Sequence, residues 1–343
     1  MAFFSKDIGI DLGTANTLIY VKGKGIVLRE PSVVAITRYN KEVHAVGYDA
    51  KEMVGKTPDN IIAVKPLKDG VISDYKMTYE MIRRFLQKVL KSGAFTKPRV
   101  VACVPSGVTE VERRAVEEAV IQSGAKEVYV VEESMAAAVG ANMNVADPLG
   151  NMVLDIGGGT SEAAVISLGA IVTAKSVRVA GNAFDEAITN FIKKKHNLLI
   201  GERTAEEIKI GIGSVYKVEE ESTMEVRGRD CLTGLPRNIV VTSEEIREAL
   251  MEPIEVVIDA IKVTLENTPP ELSADIVIQG ITLTGGGAYL RGLDKLIAER
   301  TLLPVKIAED ALECVAKGAG ILLEGIDTLR ILQTDRKNRI NRW

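Results

Sequence analysis

The chain has 343 residues, 46% of them hydrophobic, enough to bury a large core and to form roughly two domains of ordinary size. Its 43 Lys+Arg against 47 Asp+Glu leave a net charge of -4, which gives no long-range attraction for nucleic acid and argues against such a partner. Three scattered cysteines (Cys103, Cys231, Cys314) build no disulfide framework and point to a reducing cytoplasm, and the isolated His44 and His196, read as surface residues, offer no zinc site. No apolar stretch approaches the roughly 18 residues of a bilayer crossing, and the start MAFFSKDIG lacks the apolar core of a signal peptide.

The phrase DIGIDLGTANTLIYV runs from Asp7 to Val21, with Ile8, Ile10 and Leu12 alternating with Asp7, Gly9 and Asp11. That is the period of a strand with one buried face, and it brings Asp11 to the strand's end on the other face. LIYVKGKGIVL continues as two strands about a Gly-rich turn at Lys22 to Gly25, so the phrase opens a hairpin. Further on, Gly55-Lys56-Thr57 is no Walker loop, because Ala50 stands where the earlier glycine belongs and Pro58 blocks the expected helix.

The pattern then alternates between helix and strand. MTYEMIRRFLQKVLKSG carries Met81, Ile82, Phe85, Leu86 and Val89 at helical spacing and stops at Gly93. PRVVACVPSG reads as a buried strand, TEVERRAVEEAVIQSGA as a helix ending at Gly124, and KEVYVVEE as another strand. Strands joined through helices predict an α/β fold with mixed pairing.

At Asn151 to Ile166 the opening phrase returns as NMVLDIGGGTSEAAVI, followed by a second hairpin turning near Leu168 and Gly169. Helices are predicted at AFDEAITNFIKKKHNL and TAEEIKIGIG, strands at TMEVRGRD and RNIVVTS, and a long helix at SEEIREALMEPIEVVIDAIKVTLENT. A strand at GITLTGGG and a helix from about Tyr289 close the series. No low-complexity linker interrupts the chain, so two packed halves are expected.

Several of these segments carry chemistry. DLGTANT places Asp11, Gly13, Thr14 and Asn16 in a tight turn. That is either an ordinary Gly-Thr hairpin turn or a loop whose amides and hydroxyls meet an anion while the carboxylate holds Mg²⁺ through water. DIGGGTSE follows Asp155 with Gly157, Gly158, Gly159, Thr160 and Ser161. Three successive glycines cost so much conformational entropy that a backbone brought very near a ligand is the natural reason for them. Two such loops facing each other would clamp a polyphosphate, each offering one carboxylate to the same metal.

A third cluster, Gly285 to Gly287 in LTGGGAYLRG, leaves room for a flat ring or a ribose. In RTAEEIKIG, Thr204 and Glu207 have capping-box spacing, and Glu206 and Lys209 suit ribose hydroxyls and a base edge, or else form a solvated ion pair. Small residues in SMAAAVGA (Ala136, Ala137, Gly140) and CVAKGAG (Gly318, Gly320) fit two helices that cross closely, as a pivot between halves or as plain packing. Glu133, at a strand-to-helix junction, is a candidate to orient water for attack on a terminal phosphate.

The ordered set DLGTANT, VEESMAAAVGAN, DIGGGTSE, LTGGGAYLRG and CVAKGAG resembles the five signatures of the actin-like ATPase superfamily. IGIDLGTANTLIYVKGKGIVLREPSVVAI, KDGVISDY, IGERTAEEIKI, GLPR and TPPELSADI extend the likeness over essentially the whole chain, to the MreB family of bacterial actin-like cell-shape proteins.

That resemblance implies an α/β, actin-like ATPase fold of two duplicated ribonuclease-H-like domains around a nucleotide cleft, each with a smaller subdomain. Domain I would span residues 1–144 plus about 314–343, with its small subdomain at about 33–65. Domain II would span 145–313, with its small subdomain at about 181–240.

By the same resemblance, ATP or ADP and Mg²⁺ are the expected cofactors. Gly13, Thr14, Ala15 and Asn16 would meet the phosphates, with Gly158, Gly159, Thr160 and Ser161 on the opposite clamp. Glu206, Glu207, Lys209 and Ile210 would meet ribose and base, and Gly285, Gly286, Gly287, Ala288 and Tyr289 the adenosine. Asp11 and Asp155 belong to the metal's water shell, and Glu133, Thr160 and Asp155 to catalysis, with Glu133 activating water. Three positions depart from the family pattern: Ser134 replaces a proline and is expected to cap its helix, Ser161 replaces a threonine, and Asn182 replaces an aspartate.

The implied function is a slow ATPase coupled to assembly of paired protofilaments on the anionic inner membrane face, directing cell-wall synthesis and rod shape with membrane-embedded synthetic machinery. Phe3 and Phe4 beside Lys6, and Ala94 and Phe95 between Lys91, Lys97 and Arg99, are small apolar tips with basic flanks suited to shallow insertion, or an ordinary chain end and loop. The basic tail RKNRINRW would add to that surface. A small-molecule kinase of the same fold and a chaperone-type ATPase domain are the competing readings.

Overall fold

In the computed structural model, which describes residues 7–56, 58–90, 97–217 and 220–325, the alternating start of the chain forms β1 (Ile8–Leu12). It pairs antiparallel with β2 (Asn16–Val21), which pairs antiparallel with β3 (Gly25–Pro31). A small sheet follows, with β4 (Val34–Thr37) between β5 (Val43–Val46) and β6 (Ile61–Val64), and a helical turn α1 (Tyr48–Lys51) after β5. The short ladder β7 (Leu67–Lys68) with β8 (Val71–Ile72) leads into α2 (Tyr75–Leu90). Met77, Met81, Ile82, Phe85 and Leu86 form the buried stripe of α2.

The alternation continues through β9 (Arg99–Val104), α3 (Glu110–Gln122), β10 (Glu127–Glu132) and α4 (Glu133–Gly140). α3 starts on a capping box between Thr109 and Glu112. β1, β9 and β10 are parallel neighbours, completing a five-stranded sheet in the order β10-β9-β1-β2-β3.

The second hairpin is β11 (Asn151–Ile156) with β12 (Ser161–Ser167), continued by β13 (Ala170–Val177). The turn between β12 and β13 falls on Leu168 and Gly169, where φ is 53° and 72°, the positive pair that a two-residue hairpin turn of the strands' own twist requires. Next come α5 (Gly181–His196), β14 (Leu198–Leu199), α6 (Glu202–Ile212), β15 (Thr223–Asp230) and β16 (Pro236–Thr242), with β14-β15-β16 forming a second small sheet. The capped α7 (Ser243–Glu266), α8 (Pro270–Gln279), β17 (Ile281–Thr284), α9 (Leu293–Thr301) and β18 (Val305–Ile307) follow, and α10 (Cys314–Leu322) ends the named elements.

The second large sheet has the order β13-β12-β11-β17-β18, with β11–β17–β18 parallel and β11–β12–β13 antiparallel. Strand for strand, this repeats the connectivity of the first. Contacts divide the described chain into two compact units, the first running to Val145 and resuming at Leu312, the second Ala146–Ala311. Each has its own core: Ile8, Ile10, Phe85 and Ala102 in the first, and Leu154, Phe184, Ile188 and Ile258 in the second. No described helix is long and apolar enough to cross a membrane.

The structure corrects several expectations. β1 is covered on both faces: Ile8 and Ile10 are fully buried, and Gly9 lies beneath Ala319 and Gly320 of α10. The helix expected from about Tyr289 begins at Leu293, because Gly286–Tyr289 form a 3-10 turn flanked by positive-φ Gly285 and Gly292. α6 starts at Glu202 after Gly201, so Thr204 lies inside it and caps nothing, while Glu207 bonds Arg203 at 2.9 Å. His196 is half-buried, its Nε2 lying 3.0 Å from Glu245 Oε1.

The small-residue helices α4 and α10 do cross closely. A Cβ on Gly140 would collide with Cys314 O, and one on Gly318 with Ala136 O, so glycine is required at both. Both helices belong to the first unit, so the crossing fastens the returning C-terminal segment to it.

Candidate functional site

In the first unit the carboxyl ends of parallel β1, β9 and β10 lie side by side, the position where open α/β sheets bind ligands. Asp11 is on β1 in register with Cys103 of β9. Glu133, 7% exposed, is the first residue of α4 and directly follows β10, whose last residue Glu132 is in register with Val104.

The β1–β2 loop, Gly13-Thr14-Ala15, is held by Ser32. Its Oγ donates to Gly13 O at 2.6 Å and its amide to Ala15 O at 2.9 Å. With that proton committed, Thr17 Oγ1 is the donor in its 2.9 Å bond to Ser32 Oγ. Thr14 Oγ1 accepts from Gly70 N at 2.9 Å, which leaves its hydroxyl hydrogen for a ligand.

Ser134 does not cap α4. The cap position is Glu132, without a side-chain bond, and the Ser134 hydroxyl sits 2.7 Å from Ser106 Oγ in the loop after β9.

In the second unit Asp155 of β11 lies beside Thr284 of β17, whose Oγ1 donates to Asp155 Oδ1 at 2.8 Å. Burial pushes the Asp155 carboxyl up to about 6, against the opposing effect of the Thr284 bond. The loop that follows closes on itself through Gly157 N–H to Thr160 O at 2.9 Å. Its outward carbonyls are taken by the start of α5: Gly181 N–H reaches Gly157 O at 3.1 Å and Asn182 N–H reaches Gly158 O at 2.8 Å.

Asn182 thus acts at this contact through its backbone, so the amide in place of a carboxylate is immaterial there. Ser161 Oγ donates to Val179 O at 2.6 Å, which anchors the far side of the loop. Gly285 adopts φ 78° and packs on Ile156 O, which brings the third glycine cluster onto the same strand end as Asp155.

Lys209 turns inward, its Nζ 2.8 Å from Asp185 Oδ1 and 3.0 Å from Gly181 O. It is not a solvated residue. Ile210 and Tyr289 are 69% and 55% exposed, and Arg291 ties their segments together by donating to Gly211 O at 2.7 Å while its own carbonyl accepts from Val215 N–H. Glu206 and Glu207 stand on the same helix, α6, and Gly286, Gly287 and Ala288 in the 3-10 turn.

The second unit therefore gathers its residues from Asp155–Ser161, from α6 and from Gly285–Tyr289. The first gathers Asp11, the loop up to Asn16, and Glu133. The membrane candidates Phe3, Phe4, Ala94 and Phe95, and the basic tail, lie outside the described residues.

Sequence reasoning assigned no role to Ser32, Thr284, Asp185 or Arg291, although Ser32 lies in REPSVVAI and Thr284 and Arg291 lie in LTGGGAYLRG; Asp185 stands only in a predicted helix.

The donor set suits a phosphate chain with a hard divalent cation. Both loops turn carbonyls into protein, and Asp155 has a neutral hydroxyl as its hydrogen-bond donor, so its ionised form gains from a nearby cation. Among the described residues no group of three or more His, Cys, Asp or Glu gathers to ligate a metal directly.

The family model described as MreB/Mbl protein matches residues 5–331. The cell shape-determining protein Mbl of Bacillus cereus is 56% identical over 326 residues, covering 95% of this chain and 98% of that protein. The cell shape-determining protein MreB of Escherichia coli is 54% identical over 330 residues, covering 94% and 95%.

Among solved structures, MreB 5 of Spiroplasma citri bound to AMPPNP superposes with a TM-score of 0.90 at 42% identity, covering 94% of this chain and 97% of that one. The MamK double helical filament gives 0.81 at 23% identity over 94% and 99%, a likeness of fold alone. The fold is the α/β actin-like fold, and by these matches along nearly its whole length the chain belongs to the MreB/Mbl protein family.

Proposed function

We propose that this chain is an ATP-dependent, filament-forming cytoskeletal protein that assembles on the inner membrane face and directs cell-wall synthesis and rod shape. The observation that carries the reading is the match, over 94–95% of the chain, to cell shape-determining proteins and to a relative solved with AMPPNP. A small-molecule kinase finds no support among these relatives.

In this reading Gly13, Thr14, Ala15 and Asn16, and likewise Gly158, Gly159, Thr160 and Ser161, hold phosphates through amides and hydroxyls. Glu206, Glu207, Lys209 and Ile210 with Gly285, Gly286, Gly287, Ala288 and Tyr289 hold ribose and base. Asp11 and Asp155 orient the water shell of Mg²⁺, whose contribution when bound is to neutralise charge on the phosphates. Glu133 accepts a proton from the attacking water, and its burial keeps the carboxylate from bulk solvent. Thr160, 7% exposed, orients the same region.

Hydrolysis is slow and linked to polymer, in paired protofilaments. Membrane contact falls to Phe3, Phe4, Ala94 and Phe95. Sedimentation of the full chain with ATP and Mg²⁺, with and without anionic liposomes, tests the reading. Polymer that pellets, and pellets further with liposomes, is expected. A chain that stays monomeric at high concentration under both conditions overturns it.

A further inference from the structure

The Lys209 ammonium meets two groups of one short stretch of α5. Asp185 Oδ1 lies 2.8 Å away and Gly181 O 3.0 Å away, and these two residues stand one turn apart at the start of the helix. The Lys209 and Asp185 side chains are 17% and 15% exposed, so their attraction is shielded from most solvent screening.

An ammonium at a helix N-terminus opposes the helix dipole. It is stable there only with a carboxylate beside it, which Asp185 supplies. So compensated, Lys209 holds the carbonyl of Gly181, and the amides of Gly181 and Asn182 hold Gly157 O and Gly158 O. The chain of bonds runs from α6 through Lys209 to the first turn of α5 and on to the glycine loop.

We infer that Asp185 is a positioning residue for phosphate binding. Paired with Lys209, it locks the start of α5 against α6 and so sets the Gly157–Gly159 loop in the shape that receives the outer phosphates. Lys209 then serves the phosphates through the loop it braces. The inference rests on the reading of this site as one for ATP.

The experiment is nucleotide titration of the full chain in Mg²⁺, below the concentration at which polymer pellets, with AMP, ADP and AMPPNP in turn. The variants are Asp185→Asn, Lys209→Met, both together, and Asp185→Glu, each with its unfolding temperature measured in parallel.

Asp185→Asn is expected to weaken AMPPNP and ADP about tenfold and AMP less than about twofold, a misplaced loop costing the phosphates that it touches. The double variant should be no weaker than the worse single one, because the pair acts as a unit. Asp185→Glu keeps the charge and should keep most of the affinity. AMPPNP binding by Asp185→Asn equal to wild type overturns the inference and leaves the ATP reading standing. So does an equal loss for AMP and AMPPNP. Wild-type chain that binds none of the three nucleotides overturns the ATP reading itself.

Discussion

The β1–β2 loop and the β11–β12 loop carry the same aspartate-glycine-threonine phrase in equivalent strands of two like sheets, yet different neighbours hold them. In the first, one residue, Ser32, takes Gly13 O with its hydroxyl and Ala15 O with its amide. In the second, the amides of Gly181 and Asn182 at the start of α5 take Gly157 O and Gly158 O. The first loop is therefore held directly by one side chain, whereas the second rests on the amides of a helix terminus that Lys209 contacts in turn. The aspartates differ as well. Asp155 is 5% exposed and titrates near 6, while Asp11 is half-buried.

The largest effect is expected at Glu133, which directly follows β10 in the sheet that carries the first loop. Glu133→Ala should slow ATP hydrolysis by about 10²–10⁴-fold, the usual worth of a general base, with ATP affinity within about twofold. Phosphate release and nucleotide titration read the two quantities separately. Equal loss of both would mean that Glu133 is a binding residue.

The aspartates offer the next test. In the nucleotide-free chain burial pushes the folded carboxyl of Asp155 up to about 6 from its ordinary 3.8, so between those values the folded state holds a proton that the unfolded state has released. Stability from this group is complete below about pH 4 and falls as pH rises to about 6, a loss of order 3 kcal/mol if the whole shift is realised. Urea unfolding of the wild type across that range should show the decline. Asp155→Asn should remove it and gain stability at pH 7, whereas Asp11→Asn should leave it in place. A decline that survives Asp155→Asn assigns it to another group.

Ser32→Ala breaks the bond to Gly13 O and the bond from Thr17, at an expected cost of about 1–2 kcal/mol in unfolding free energy, together with weaker nucleotide binding. Its counterpart is the smallest effect. Asn182→Ala leaves the backbone contact to Gly158 O intact and should change stability by less than about 0.5 kcal/mol. If Asn182→Ala costs as much as Ser32→Ala, the two loops are not held in the different ways described.

The legible parts of the fold were those written locally. Alternation at Ile8, Ile10 and Leu12 predicted β1, and the paired positive φ angles fell on Leu168 and Gly169 as the turn required. The glycine clusters stood at strand ends as expected. Where the reading failed, a distant segment had intervened. Ser134 has the chemistry of a cap, but Ser106 lies within reach of its hydroxyl, and Thr204 has cap spacing in a helix that begins two residues earlier. His196 has nothing in its local sequence to bury it, yet Glu245, 49 positions on, lies beside it.

By itself the sequence determined the strand and helix periods, the duplicated phrase, the glycine loops and the family resemblance. All of these rest on residue type and on spacings of a few positions, and hydrophobic period and backbone freedom operate at that range. The tertiary structure alone decided that both faces of β1 are covered, what held each loop, where Lys209 found its counter-charge and how far the Asp155 carboxyl was raised. Those depend on desolvation and on partners brought in from afar: Thr284 stands 129 positions from Asp155, and α10 returns from the far end of the chain to cover Gly9. Burial sets the strength of a charge or a hydrogen bond, and burial is a property of the packed chain.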